Sequence, residues 1–90
     1  MLIEQVAERS QTKPEVLERE GLKLYLEKKL RVVESELFLL THRYGVRDVT
    51  ELDEMIKQGK FHEDEAFEDY FNFDYFEHER EKLLQVLEEL

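Results

Sequence analysis

The chain has 90 residues, 40% of them charged, a formal net charge of −10 at pH 7, and no cysteine. This length fits a single domain with a small core, and the absence of cysteine excludes disulfides and thiolate metal sites. The acidic balance argues against direct binding to nucleic-acid backbones. There is no apolar run long enough to cross a membrane and no signal peptide at the N-terminus, so we expect a cytoplasmic protein.

The N-terminal half predicts a short helix followed by a long one. One face of the short helix would carry the apolar side chains Leu2, Ile3, Val6 and Ala7. Residues 10–13 are typical of a turn, and Pro14 suits the first turn of a new helix. No other proline occurs before Tyr44, so we predict one helix of about 31 residues, roughly 46 Å long.

The long helix carries a coiled-coil-like seam. Its members, spaced alternately four and three residues apart, are Leu26, Leu30, Val33, Leu37, Leu40 and Tyr44. A compact domain of this size has a radius of gyration of only about 12 Å, so the helix is too long to be wrapped by its own chain. We therefore predict an elongated molecule and a homodimer, with an interface formed by Gly21, Leu22, Leu26, Leu30, Val33, Leu37 and Leu40. The alternative is that the seam packs on the later helices of the same chain.

The C-terminal half predicts further helices. Gly45 would end the long helix in the left-handed conformation, and Asp48 with Glu51 would start a third helix that ends at Gly59. We predict a loop over residues 60–66, one or two helical turns over 66–71, and a last helix from about Asp74 to Leu90. The predicted fold class is therefore all-α, a single domain with a helical dimerisation part, 1–45, and a partner-binding part, 46–90.

Residues 61–79 combine acidic and aromatic side chains. This window holds eight acidic residues, no Lys or Arg, and seven of the ten aromatic residues. Residues 1–60 have a net charge of −1 and residues 61–90 a net charge of −9. A segment that combines large apolar side chains with a negative electrostatic potential is suited to bind and cover a basic protein surface. The alternative is that the aromatics fill the domain's own core while the acids face water.

Metal and catalytic motifs are missing from the sequence. A di-iron Glu-x-x-His pattern would need Glu three residues before a histidine, but Gly59 precedes His62 and Tyr75 precedes His78 at that distance. There is also no calcium loop, no glycine-rich phosphate loop and no nucleophile paired with a base. We therefore expect neither an enzyme nor a cofactor or metal site.

Residues 2–29 resemble the helical part of a ribbon-helix-helix protein. The corresponding pieces are Leu2–Arg9, the turn Ser10–Lys13, the helix start Pro14-Glu15-Val16-Leu17, and Arg19-Glu20-Gly21-Leu22. Proteins of that family read DNA with a β-strand that precedes the first helix, whereas this chain starts at the helix. The resemblance therefore implies a dimerising hairpin, without DNA reading.

The whole layout is similar to small antitoxins of prokaryotic type II toxin–antitoxin pairs, which join an N-terminal dimerising hairpin to a C-terminal segment that blocks a toxin, commonly a basic ribonuclease. The resemblance implies that residues 61–79 neutralise such a partner. Combined with the dominance of aromatic anchors in interfaces, it predicts partner contacts at Phe67, Glu68, Asp69, Tyr70, Phe71, Phe73, Asp74 and Phe76. The alternative function is a self-contained structural or assembly protein with no specific inhibitory role.

Overall fold

The computed structural model describes residues 2–90, and in this range the chain forms four helices and no strand. They are α1 (Leu2–Ser10), α2 (Pro14–Tyr44), α3 (Val49–Lys57) and α4 (Glu63–Glu89). The molecule measures 61 × 20 × 18 Å and has a radius of gyration of 19.1 Å. The predicted all-α, elongated fold is therefore confirmed. No helix among the described residues has both the length and the apolar content of a membrane span.

The reversal between α2 and α3 depends on two local signals. Gly45 has a φ of 65°, in the left-handed region that favours glycine, and its N–H donates to the Thr41 carbonyl. The N–H of Val46 donates to the same carbonyl at 3.1 Å, and the Val46 side chain is buried. Asp48 then caps α3 by accepting the Glu51 N–H at 2.8 Å. Both predicted boundaries are confirmed.

The core lies along the C-terminal half of α2, where α3 and α4 pack against it. Its buried members are Val33, Leu37, Leu40, Val46, Val49, Leu52, Phe73 and Leu83. Leu26 and Leu30 are partly buried against this cluster. At the other end of the molecule α1 packs on α2 and buries Ala7. The N-terminal part of α2 has little cover, because Leu22, Leu24 and Tyr25 are all about half-exposed or more.

The C-terminal region is one continuous helix from Glu63, so the predicted loop over residues 60–66 is confirmed only as far as His62, and the predicted break before Asp74 is wrong. Ala66 and Phe73 lie two turns apart on the same face of α4, and both side chains are 1% exposed. Three carboxylates in the first turn, from Glu63 to Glu65, stabilise the helix N-terminus electrostatically. These effects outweigh the modest helix propensity of the aromatic and Asn residues between them.

Candidate partner-binding surface on α4

The helical period divides the acidic-aromatic segment between two faces of α4. Ala66 and Phe73 are buried, and Tyr70 and Phe76 are partly buried against the core. The outer face presents three aromatic side chains, Phe67, Phe71 and Tyr75, which are 58%, 54% and 58% exposed. We call these three residues the aromatic stripe. They follow one another at intervals of four residues, so they form a single line along the helix.

The rings at the start of the stripe contact each other. The Phe67 and Phe71 ring centroids are 4.9 Å apart at an interplanar angle of 70°, and Phe71 makes a similar edge-to-face contact with Tyr70 at 5.4 Å. An open groove between α3 and α4 adjoins them, lined by Asp53, Ile56, Glu63, Phe67, Tyr70 and Phe71. The stripe therefore offers a preformed apolar ridge with a groove along one side.

Carboxylates surround the stripe. Asp64, Glu65 and Glu68 lie exposed near its start, and no Lys or Arg occurs between residues 61 and 79. His78, near its end, hydrogen-bonds the Asp74 carbonyl at 2.8 Å. That bond and the negative charge of Asp74 raise the pKa of His78. Because no Lys or Arg balances the carboxylates, the surface is strongly negative at neutral pH. Its aromatic and acidic side chains are both exposed to solvent.

Asp69 faces the interior and holds two helices together. Its Oδ2 accepts a hydrogen bond from Arg43 Nη1 at 2.9 Å and another from the Tyr44 hydroxyl. Partial burial alone would raise the pKa of the Asp69 carboxyl, but the hydrogen bonds from Tyr44 and Arg43 outweigh it and hold that pKa below its usual value. Burial and the hydrogen bond to Asp69 raise the pKa of Tyr44 to about 12.

Glu77 also serves the fold. Its Oε2 accepts the backbone N–H of Val49 at 3.0 Å, which satisfies a free donor at the N-terminus of α3. With Asp48 bonded to Glu51, the first turn of α3 has two carboxylate partners. Two of the acids in the segment, Asp69 and Glu77, are therefore structural.

The eight predicted partner contacts have different environments. Phe67, Glu68 and Phe71 are exposed, whereas Asp69, Tyr70, Asp74 and Phe76 are partly buried and Phe73 is fully buried. Tyr75 was missed by the sequence analysis, although its spacing from Phe67 and Phe71 is a signal that it shares their face. Within residues 2–90, no three His, Asp or Glu side chains converge closely enough to hold a metal ion.

The seven residues predicted for a dimer interface also divide into groups. Val33, Leu37 and Leu40 are buried in the chain's own core, and Leu26 and Leu30 pack against it. Leu22 is 49% exposed. Gly21 is exposed, and a Cβ built on it would meet no atom within 4 Å. The structure therefore shows the intramolecular alternative for the C-terminal part of the seam.

The chain belongs to the Uncharacterized protein MJ0235 family, whose model matches residues 1–90. No curated protein matches the chain, and no solved structure does.

Proposed function

We propose that this protein is an antitoxin-like inhibitor that binds a basic partner protein through the aromatic stripe of α4, and that the partner is a small cytoplasmic ribonuclease. The observation that carries the proposal is the exposure of Phe67, Phe71 and Tyr75 in a segment without Lys or Arg. Phe and Tyr are both enriched in protein–protein interfaces, and Tyr is among the residue types enriched in interface hot spots. The role is one of binding and needs no catalysis, metal or cofactor.

The mechanism would combine steric and electrostatic occlusion. A ribonuclease cleft carries cationic groups that hold RNA phosphates. The carboxylates beside the stripe, including Asp64 and Glu68, are opposite in charge to such a cleft. This attraction would speed the association of the two proteins. The aromatic rings would then fill apolar pockets at its rim. Because α4 is already folded against α2 and α3, binding avoids most of the cost of ordering the segment.

The test compares three forms of the 90-residue chain. In the stripe variant, Phe67, Phe71 and Tyr75 are all replaced by Ser. The matched control replaces Leu2, Val6 and Val16 by Ser; these side chains are 74%, 45% and 43% exposed and belong to α1 and the start of α2. A truncation at residue 60 is unsuitable, because removing α4 would uncover Val33, Leu37 and Leu40.

Each form is used to capture proteins from native lysate, which are then identified by mass spectrometry. We expect a basic protein that is retained by the wild type and the control, is lost with the stripe variant, and is released by moderate salt. The purified captured protein should cleave RNA, and added wild-type chain should stop the cleavage. Equal retention by the stripe variant would contradict the binding surface. A captured protein without ribonuclease activity would contradict only the proposed partner class.

A self-contained structural protein remains the second candidate. The observation that favours it is the burial of Phe73 and Ala66, which shows that the acidic-aromatic segment completes the chain's own core. In that case the stripe would be a solvated face. The two functions differ in one result: the structural role requires the stripe variant and the wild type to capture the same proteins.

A further inference from the structure

A second face of α2 carries large apolar side chains without cover. Leu24, Tyr25, Val32, Phe38 and Leu39 are 63%, 57%, 58%, 59% and 55% exposed. We call these five residues the back face. The helical period places Leu24 and Leu39 opposite the buried seam and the other three on the flanks of α2, where Val32 and Phe38 also border grooves against α4. An open groove along the back face is lined by Arg31, Glu34, Ser35, Phe38 and Leu39. A helix that is apolar on two opposite sides is typical of one that is covered on both.

We propose that the back face binds a second copy of this chain, with the two α2 helices antiparallel and the two-fold axis between Arg31 and Val32. The sequence is nearly self-complementary about that point. Leu24 and Leu39 lie at equal distances from it, as do Tyr25 and Phe38. In a two-fold interface each residue of one copy meets its counterpart on the other. Leu24 would therefore contact Leu39 of the second copy, with Tyr25 and Phe38 on the two edges of this contact.

The charges along α2 favour the same arrangement. On one side of the axis lies a basic turn, Lys28 to Arg31, and on the other an acidic turn, Glu34 to Glu36. Antiparallel pairing sets Lys29 of one copy opposite Glu34 of the other and Glu20 opposite Arg43, each twice per dimer, against a single kind of like-charge pair, Glu27 with Glu36. Parallel pairing would place Lys28 beside Lys28 and Glu34 beside Glu34, so like charges would oppose it.

Charge also selects the back face over the aromatic stripe as the surface for a second copy. Residues 1–60, which contain all of α2, have a net charge of −1, whereas residues 61–90 have −9. Two copies of α4 would repel each other, and two copies of α2 would not. The core side of α2 is closed to a second copy, because Val33, Leu37 and Leu40 are already buried by the same chain. The inference rests on α2 alone and is independent of the proposed function.

The mass of the 90-residue chain in solution tests the proposal, and light scattering after gel filtration measures it over a range of concentrations. We expect a dimer for the wild type and a monomer for Leu39→Asp, which would set a carboxylate against Leu24 of the second copy, with unchanged helical content by circular dichroism. The matched control is Phe71→Asp, which changes an equally exposed side chain on α4 and should leave the dimer intact. A wild-type chain that is monomeric throughout, or a folded Leu39→Asp variant that stays dimeric, would overturn the proposal.

Cysteine cross-linking tests the antiparallel register, because the chain has no cysteine of its own. Leu24 and Leu39 are 15 residues apart, which corresponds to roughly 22 Å along the helix, and a disulfide requires Cα atoms within about 7 Å. A mixture of the Leu24→Cys and Leu39→Cys chains should therefore form mixed disulfides under mild oxidation, and neither chain alone should do so. Rapid cross-linking of Leu24→Cys with itself would show a parallel pair and overturn the proposal.

Discussion

The Tyr44 hydroxyl, at the C-terminal end of α2, donates a hydrogen bond to the Asp69 carboxylate in the second turn of α4. Arg43 Nη1 donates to the same oxygen at 2.9 Å. These bonds join residues 25 and 26 positions apart and fix how the first part of α4 rotates on α2. That rotation decides which aromatic side chains enter the core and which form the stripe.

Asp69→Asn should lower stability in a pH-dependent way. The folded chain holds the pKa of Asp69 below its usual value. The ionised carboxylate therefore stabilises the fold at pH values above its unfolded pKa of about 4, and this stabilisation is lost as the pH falls through the folded pKa. Since Arg43 is largely exposed, most of the effect comes from the Tyr44 bond, and we expect a loss of about 1 kcal/mol at pH 7. Urea unfolding at pH 7 and below pH 4 measures it.

The matched control for this experiment is Glu68→Gln, which changes an exposed carboxylate beyond the first turn of the same helix. It removes the same charge without breaking the contact between α2 and α4, so it should change stability by less than about 0.5 kcal/mol. If the two substitutions lowered the free energy of unfolding equally at pH 7, Asp69 would act only through the net charge of the chain.

Tyr44 should ionise above the ordinary pH range of a tyrosine. Burial and its bond to Asp69 raise the pKa of Tyr44 to about 12, against an ordinary tyrosine value of about 10. The stability that comes from the neutral hydroxyl is therefore complete below pH 10 and is lost as the pH rises toward 12. Ultraviolet titration of the phenolate band should show a late phase that Tyr44→Phe removes. A single phase near pH 10 in the folded wild type would contradict the prediction.

The sequence predicts the fold best where the signal is local. Gly45 and Asp48 act on backbone groups within a few residues of themselves, so the end of α2 and the start of α3 are visible in the pattern. The continuity of α4 is not visible in the pattern, because it depends on the packing of Ala66 and Phe73 against the rest of the chain. Likewise the spacing of Phe67, Phe71 and Tyr75 shows that they share a face, but the docking of α4 decides that this face is the outer one.

Val33→Asp should destabilise the fold of the single chain. Val33 is 8% exposed in the core between α2 and α4, and an unpaired carboxylate there is expected to cost about 3 kcal/mol or more. The control is Val16→Asp, at a side chain that is 43% exposed near the start of α2, where a negative charge suits the helix dipole. Thermal unfolding followed by circular dichroism compares the two. A Val33→Asp chain with wild-type stability and half the wild-type mass would instead place Val33 in a contact between copies.

Two glycine substitutions in α2 and at its end should have opposite effects. Gly45 has a φ of 65°, where an L side chain is strained, so Gly45→Ala should lower stability by about 1 kcal/mol. Gly21 lies within the helix with open space around its Cβ position, so Gly21→Ala should raise stability by about 0.5 to 1 kcal/mol. Urea unfolding of both variants provides the measurement. A destabilised Gly21→Ala chain of reduced mass would show that Gly21 permits a close approach of two helices, as the sequence pattern alone suggests, and would move the dimer contact toward the N-terminal end of α2.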